Sequence, residues 1–190
     1  MKQLLQQIRQ CKVCEAQLEL GARPVVAASP QSKIIIVGQA PGRIVHQTGI
    51  PWNDKSGHTL RQWLEVDDAQ FYDTDLFALM PMGFCFPGKG TNGDKPPRPE
   101  CAPLWHQKLL DRMPGVQLIL LIGQYAQNYY LAGNAKATLT ETVRHFQNYL
   151  PLYFPLPHPS PRNNIWQARN PWFAEELLPE LKAAVKHILA

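Results

Sequence analysis

Two distant parts of this 190-residue chain carry residue types and spacings suited to chemistry. The first is Lys33–Gly57, where the apolar run Ile34–Val37 ends in Gly38-Gln39-Ala40-Pro41-Gly42 and a polar loop leads on to Trp52 and Asp54. Small residues at Gly38, Ala40 and Gly42 let a ligand approach the backbone, and Pro41 stiffens the turn. A plain tight turn between a strand and a helix would use the same residues. Trp52 is either a flat face for stacking a ring or a core side chain. Asp54 is either a carboxylate that orients water and stabilises positive charge or the N-cap of a helix starting near Ser56. The second part is His158-Pro159-Ser160-Pro161, which closes the apolar run Leu152–Leu156. An imidazole N–H there can stabilise a departing anion, and a lone histidine ending a strand also serves structure alone.

The cysteines form a third set. Cys11 and Cys14 make a Cys-x-x-Cys pair, and Cys85 and Cys101 stand at the two ends of a Pro/Gly-rich stretch. Four thiolates suit a tetrahedral zinc or a [4Fe–4S] cluster. Disulfides are disfavoured in a reducing cytosol. A redox pair at Cys11/Cys14 and four unrelated buried cysteines stay open as readings.

The elements that must position these residues follow from periodicity. Leu4, Leu5 and Ile8 mark a helix over Lys2–Arg9, and Leu60, Trp63 and Leu64 mark another after Ser56. Ile34–Val37, Leu76–Met80, Val116–Ile122 and Leu152–Leu156 read as strands, with an edge strand or loop at Pro24–Ala27. Pro99-Glu100 opens a helix, Gly123 starts one that runs through Leu131, and the last, from Pro171, kinks or restarts at Pro179. Gly83–Pro97 reads as a long exposed loop. Strands alternating with amphipathic helices predict one α/β domain over residues 1–190, a three-layer α/β/α sandwich around a four-stranded, mainly parallel sheet. Loops at the carboxyl ends of such strands are where ligands bind.

Bulk properties narrow the class. No apolar run approaches the roughly 20 residues that span a bilayer, and Met1–Cys11 lacks a signal-peptide core. The expected location is the cytoplasm, as a monomer without membrane contact. A formal net charge of +4 permits a polyanionic partner without requiring one.

Taken together and in order, the N-terminal Cys-x-x-Cys, the strand leading into Gly-x-Ala-Pro-Gly, the second cysteine pair separated by fifteen residues and the closing His-Pro-Ser-Pro resemble the uracil-DNA glycosylase superfamily. The nearest likeness is to its iron–sulfur branches, families four and five. The resemblance implies a monofunctional DNA glycosylase that flips uracil, or a related deaminated base, out of the duplex and leaves an abasic site. It implies a structural [4Fe–4S] cluster on Cys11, Cys14, Cys85 and Cys101, with zinc the less favoured occupant. Gly38, Gln39, Ala40, Pro41 and Gly42 would cradle the base and Trp52 would stack on it. Asp54 would act on the water or on the sugar cation, and a neutral His158 would donate to the base's O2. Ser160, Arg162 and Asn163 match the loop that wedges into DNA, and Lys89, Lys95 and Arg98 would add phosphate contacts.

Two positions depart from the family pattern. Family four carries an acid where this chain has Gln39, and an asparagine that reads uracil usually precedes the third cysteine. Here Leu79-Met80-Pro81-Met82-Gly83-Phe84 offers no amide. Thr48-Gly49 is closer to family five. Two other classes follow from these features: a nucleic-acid-binding or damage-sensing protein that keeps the fold without the chemistry, and a zinc-stabilised hydrolase of a small nucleoside.

Overall fold

A computed structural model describes residues 1–91 and 93–190. Four parallel strands form the sheet: β1 (Ile34–Val37), β2 (Phe77–Leu79), and, numbering past a small hairpin of β3 (Lys89–Gly90) and β4 (Gly93–Asp94), β5 (Leu118–Ile122) and β6 (Tyr153–Leu156). Their order is β2-β1-β5-β6, with Ile34 level with Phe77 on one side and Leu118 on the other. β-Branched and leucine side chains without interruption suit strands covered on both faces.

Alternation along β1 separates the two cores. Ile34 and Ile36 point to one side, against Leu60 and Trp63 of α3 (Lys55–Leu64) and Leu181 and Val185 of α9 (Leu178–Leu189). Ile35 and Val37 point to the other, against Leu4 and Ile8 of α1 (Lys2–Arg9), Leu109 of α5 (Cys101–Leu110) and Leu131 of α6 (Gln124–Leu131). All four β1 side chains have no accessible surface. This is the three-layer α/β/α arrangement that the strand and helix pattern predicts, and the pairings of the sheet are all parallel.

The expected strands and helices are present with ends shifted by a residue or two; the differences lie between them. The polar loop after Gly42 contains a short helix, α2 (Arg43–Thr48), closed by Gly49 at φ +74°. Short helices α4 (Asp68–Tyr72), α7 (Leu139–Arg144) and α8 (Asn164–Arg169) were also unexpected; α4 and α7 each carry a capping box. Pro24–Ala27 contributes a single antiparallel bridge, Ala27 to Leu79. Gly83–Pro97 is not exposed throughout: Phe84, Phe86, Pro87 and Gly88 are buried, with Phe84 stacked on His106 at 5.6 Å and Phe86 beside His46 at 6.1 Å. At the C-terminus a π-helical turn, Phe173–Leu177, hands over to α9, whose first turn accommodates Pro179. Among the described residues no helix is long and apolar enough to cross a membrane.

The connections leave β1 towards β2 and β5 towards β6, in opposite directions. A crevice therefore opens at the carboxyl ends of β1 and β5.

Candidate active site

Backbone ladders fix the first loop. The Met82 and Gly83 N–H groups donate to the Gly38 and Gln39 carbonyls at 2.8 and 3.0 Å, extending the β1–β2 pairing past the end of the strands. The Gln39 side chain is also committed, its Nε2 donating to the Lys95 carbonyl at 3.1 Å.

Trp52 sits in a seat made by two glycines. A Cβ on Gly38 would stand 2.8 Å from the Trp52 ring, and one on Gly57 would stand 1.7 Å from the Trp52 carbonyl. Trp52 itself takes φ +56°, a left-handed conformation that costs a non-glycine residue about 1–3 kcal/mol and persists only where its surroundings hold it. Two residues on, Asp54 caps α3, its Oδ1 accepting from the Gly57 N–H at 2.8 Å. The capping role is therefore present, and the same carboxylate lines the pocket.

His158 follows β6 and lies 5.9 Å from Trp52, ring centre to ring centre, at an interplanar angle of 32°. Burial pushes its pKa below the ordinary histidine value, and the charges of Asp54 and Asp94 only partly offset this. Burial thus favours the neutral imidazole over the imidazolium. Its loop is shaped from within: Asn163 Nδ2 donates to the His158 carbonyl at 2.7 Å, and Ser160 Oγ accepts from the Arg162 N–H at 3.3 Å.

These pieces meet in one pocket of about 530 Å³, lined by Gly38–Gly42, Trp52, Asp54, His158, Ser160, Arg162 and Asn163. All the base-pocket and DNA-loop residues expected from the sequence come together there. Lys89 lines it too, paired with Asp94 at 2.6 Å. Arg98 does not: it pairs with Glu100 at 2.6 Å and lines the cysteine cavity instead. Gly57 and Asp94 went unnoticed in the sequence. Gly90 and Gly93, with two residues between them, are the signal for the hairpin that brings Asp94 in.

Cys11, Cys14, Cys85 and Cys101 line a second, narrow and apolar cavity with Phe84, Leu104 and Trp105. All four thiols are free. The Phe84 N–H donates to Cys101 Sγ at 3.3 Å. Burial nonetheless pushes Cys85 up to about 11 and Cys101 up to about 12. Thiolates here need a compensating cation, which a metal centre supplies. Among the described residues no three His, Cys, Asp or Glu side chains are arranged to hold a single ion. Arg98 Nε and Trp105 Nε1, on residues lining this cavity, are buried without a hydrogen-bond partner.

A model of the uracil DNA glycosylase superfamily matches residues 26–182. The chain belongs to that superfamily. The solution NMR structure of a protein from Methanosarcina acetivorans, described as a candidate uracil DNA glycosylase, is similar in fold: TM-score 0.50 at 15% identity, covering 87% of this chain and 96% of that one. Within the superfamily frame, the segment between β2 and Cys85 presents Pro81 to the pocket, while Met80 and Met82 are buried.

Proposed function

We propose that this chain is a monofunctional DNA glycosylase, one glycosylase-like domain over residues 1–190. It hydrolyses the N-glycosidic bond of uracil or a related deaminated base flipped into the pocket. One observation carries the reading: the Gly38–Gly42 loop, Trp52, Asp54 and His158, which come from distant parts of the sequence, line a single cavity at the crevice of the sheet.

The chemistry fits these groups. A flipped base stacks on Trp52, a contact worth about 1–3 kcal/mol. As the bond from C1′ to the base nitrogen breaks, its electron pair moves into the base and negative charge gathers on the base oxygen. The neutral His158 imidazole donates a hydrogen bond to that oxygen. Positive charge grows on the sugar, where the Asp54 carboxylate stabilises it and aligns the water. The water oxygen bonds to C1′, its proton passes to the carboxylate or the departing base, and an abasic site remains. Ser160, Arg162 and Asn163 lie at the pocket where the DNA strand would enter, with Lys89 beside them.

A [4Fe–4S] cluster fits the four cysteines. The apolar lining suits it, and the unpartnered Arg98 Nε and Trp105 Nε1 are donors for sulfide acceptors that a cluster brings beyond the thiolates themselves. Its contribution would be structural, crosslinking the segment after α1 to the start of α5.

The test is cleavage of single- and double-stranded oligonucleotides carrying uracil, hypoxanthine or xanthine, read as alkali-labile abasic sites. Release of one of these bases is expected. Tight binding with no release from any of them would make the chain a binding or damage-sensing protein instead.

A further inference from the structure

The pocket contains a carboxylate that the mechanism above leaves idle. Asp94, on β4, lines the pocket with its side chain 28% exposed. Oδ1 meets Lys89 Nζ at 2.6 Å across the hairpin. Oδ2 turns towards the first loop, 3.6 Å from where a Cβ on Gly42 would stand. Its charge acts on His158, as that of Asp54 does.

The hairpin holding Asp94 is tied down at several points. Gln39 Nε2 donates to the Lys95 carbonyl, the Lys95 N–H donates to the Gly88 carbonyl at 2.9 Å, and the Lys89 N–H donates to Glu19 Oε2 at 3.1 Å. A tethered carboxylate is a pre-placed acceptor. Meanwhile the segment after β2 offers the pocket only Pro81, which has no N–H and whose carbonyl is taken by His106 Nε2 at 3.0 Å.

We infer that Asp94 reads the edge of the bound base, and that the pocket favours bases whose ring N–H is flanked by a C–H or another donor over uracil. The inference rests on the glycosylase reading. An ionised carboxylate only accepts hydrogen bonds. In uracil the N3–H lies between two carbonyl oxygens, and both repel a carboxylate. In hypoxanthine the N1–H has a carbonyl on one side and a C–H on the other, so one carboxylate oxygen accepts the proton while the second meets no opposing oxygen. An amide at the same place would reverse the preference, because its NH₂ donates to a uracil carbonyl.

Full-length wild type and Asp94→Asn are compared on two readouts. The first is the ratio of kcat/KM for hypoxanthine and uracil in matched oligonucleotides. The second is the ratio of equilibrium affinities for the two free bases, followed by tryptophan fluorescence. Wild type should favour hypoxanthine, and Asp94→Asn should shift both ratios towards uracil by about 5- to 100-fold, the span of one well-placed base-edge contact. Lys89→Ala removes the ion pair and keeps the carboxylate, so it should retain the wild-type ratios whatever its overall rate. Unmoved ratios in Asp94→Asn, or an equal shift in Lys89→Ala, would overturn the assignment. A wild type that cleaves neither substrate defeats the glycosylase reading, and the free-base affinities still decide the role of Asp94.

Discussion

The pocket and the cysteine cavity are built on different plans. In the pocket, each reactive side chain is attached to a regular element or its end: the first loop to β1, His158 to β6, Asp54 to the start of α3. Backbone ladders therefore set its geometry. The cysteine cavity gathers its thiols from the turn after α1, the buried loop after β2 and the first residue of α5, with no sheet pairing between them. One site is shaped by the fold; the other gathers thiols that the proposed cluster would crosslink. The comparison predicts that damage to the pocket costs chemistry, whereas damage to the cavity costs stability.

The largest effect should come from Asp54→Asn. Asparagine caps a helix about as well as aspartate, so the Gly57 hydrogen bond and the melting temperature should survive. The cleavage rate should fall by about 10²–10⁴-fold, the usual worth of a positioned acid or base. A fall in melting temperature with the rate intact would leave Asp54 a cap and nothing more.

Cys101→Ser should act the other way. Iron content and brown colour should be lost, and the melting temperature should drop by about 10 °C, the equivalent of several kcal/mol for a chain of this length. Cleavage per folded molecule at low temperature should change little. Equal losses of rate and stability would mean that the two regions are one unit.

His106 touches both. Its Nε2–H donates to the carbonyl of Pro81 in the pocket wall, Nδ1 meets the Tyr130 hydroxyl at 2.8 Å, and the ring stacks on Phe84 of the cysteine cavity. Only 1% of it is exposed, and burial holds its pKa down to about 4. Between pH 6.5 and 4 the unfolded chain binds the extra proton, so stability falls as pH drops through that window. The loss approaches about 3 kcal/mol once pH is below both values, and stability is fully present above 6.5. His106→Gln should flatten this acid limb in urea titrations at several pH values, whatever it costs at neutral pH. An unchanged slope would assign the limb to other groups.

How much of this could be read in the chain depends on how local the cause was. The strands and major helices were legible because alternation and 3.6-residue periodicity are local, and Gly38–Gly42, Asp54 and His158 were legible because they flank those elements. Asp94 was not. It enters the pocket through a hairpin only two residues a side, and the glycines Gly90 and Gly93 that mark its turn do not show which part of the chain that turn folds back on. Gly57 was missed for a related reason. Its lack of a Cβ matters only because the Trp52 carbonyl lies over it, a contact fixed by the positive φ of Trp52. Arg98 could not be placed because charge in a Pro-rich loop shows no direction; its pairing with Glu100 beside the cysteine cavity sets where it points.

Trp52 is where the smallest effect is expected and where the division between chemistry and stability is most exposed to test. Its ring packs on Gly38 and against His158, and it also borders the main core. Trp52→Ala should weaken binding of an oligonucleotide carrying the damaged base by about 5- to 100-fold, from 1–3 kcal/mol of stacking. Affinity for undamaged duplex, governed by phosphate contacts, should be unchanged. Alanine gains nothing from the left-handed backbone at this position, so some stability will be lost with the core contact. Trp52→Phe keeps a stacking face, and its affinity should lie between those of alanine and wild type. If phenylalanine and alanine bind damaged DNA equally, the ring at this position is a strut for His158 rather than a platform for the base, and the pocket would share the structural dependence of the cysteine cavity.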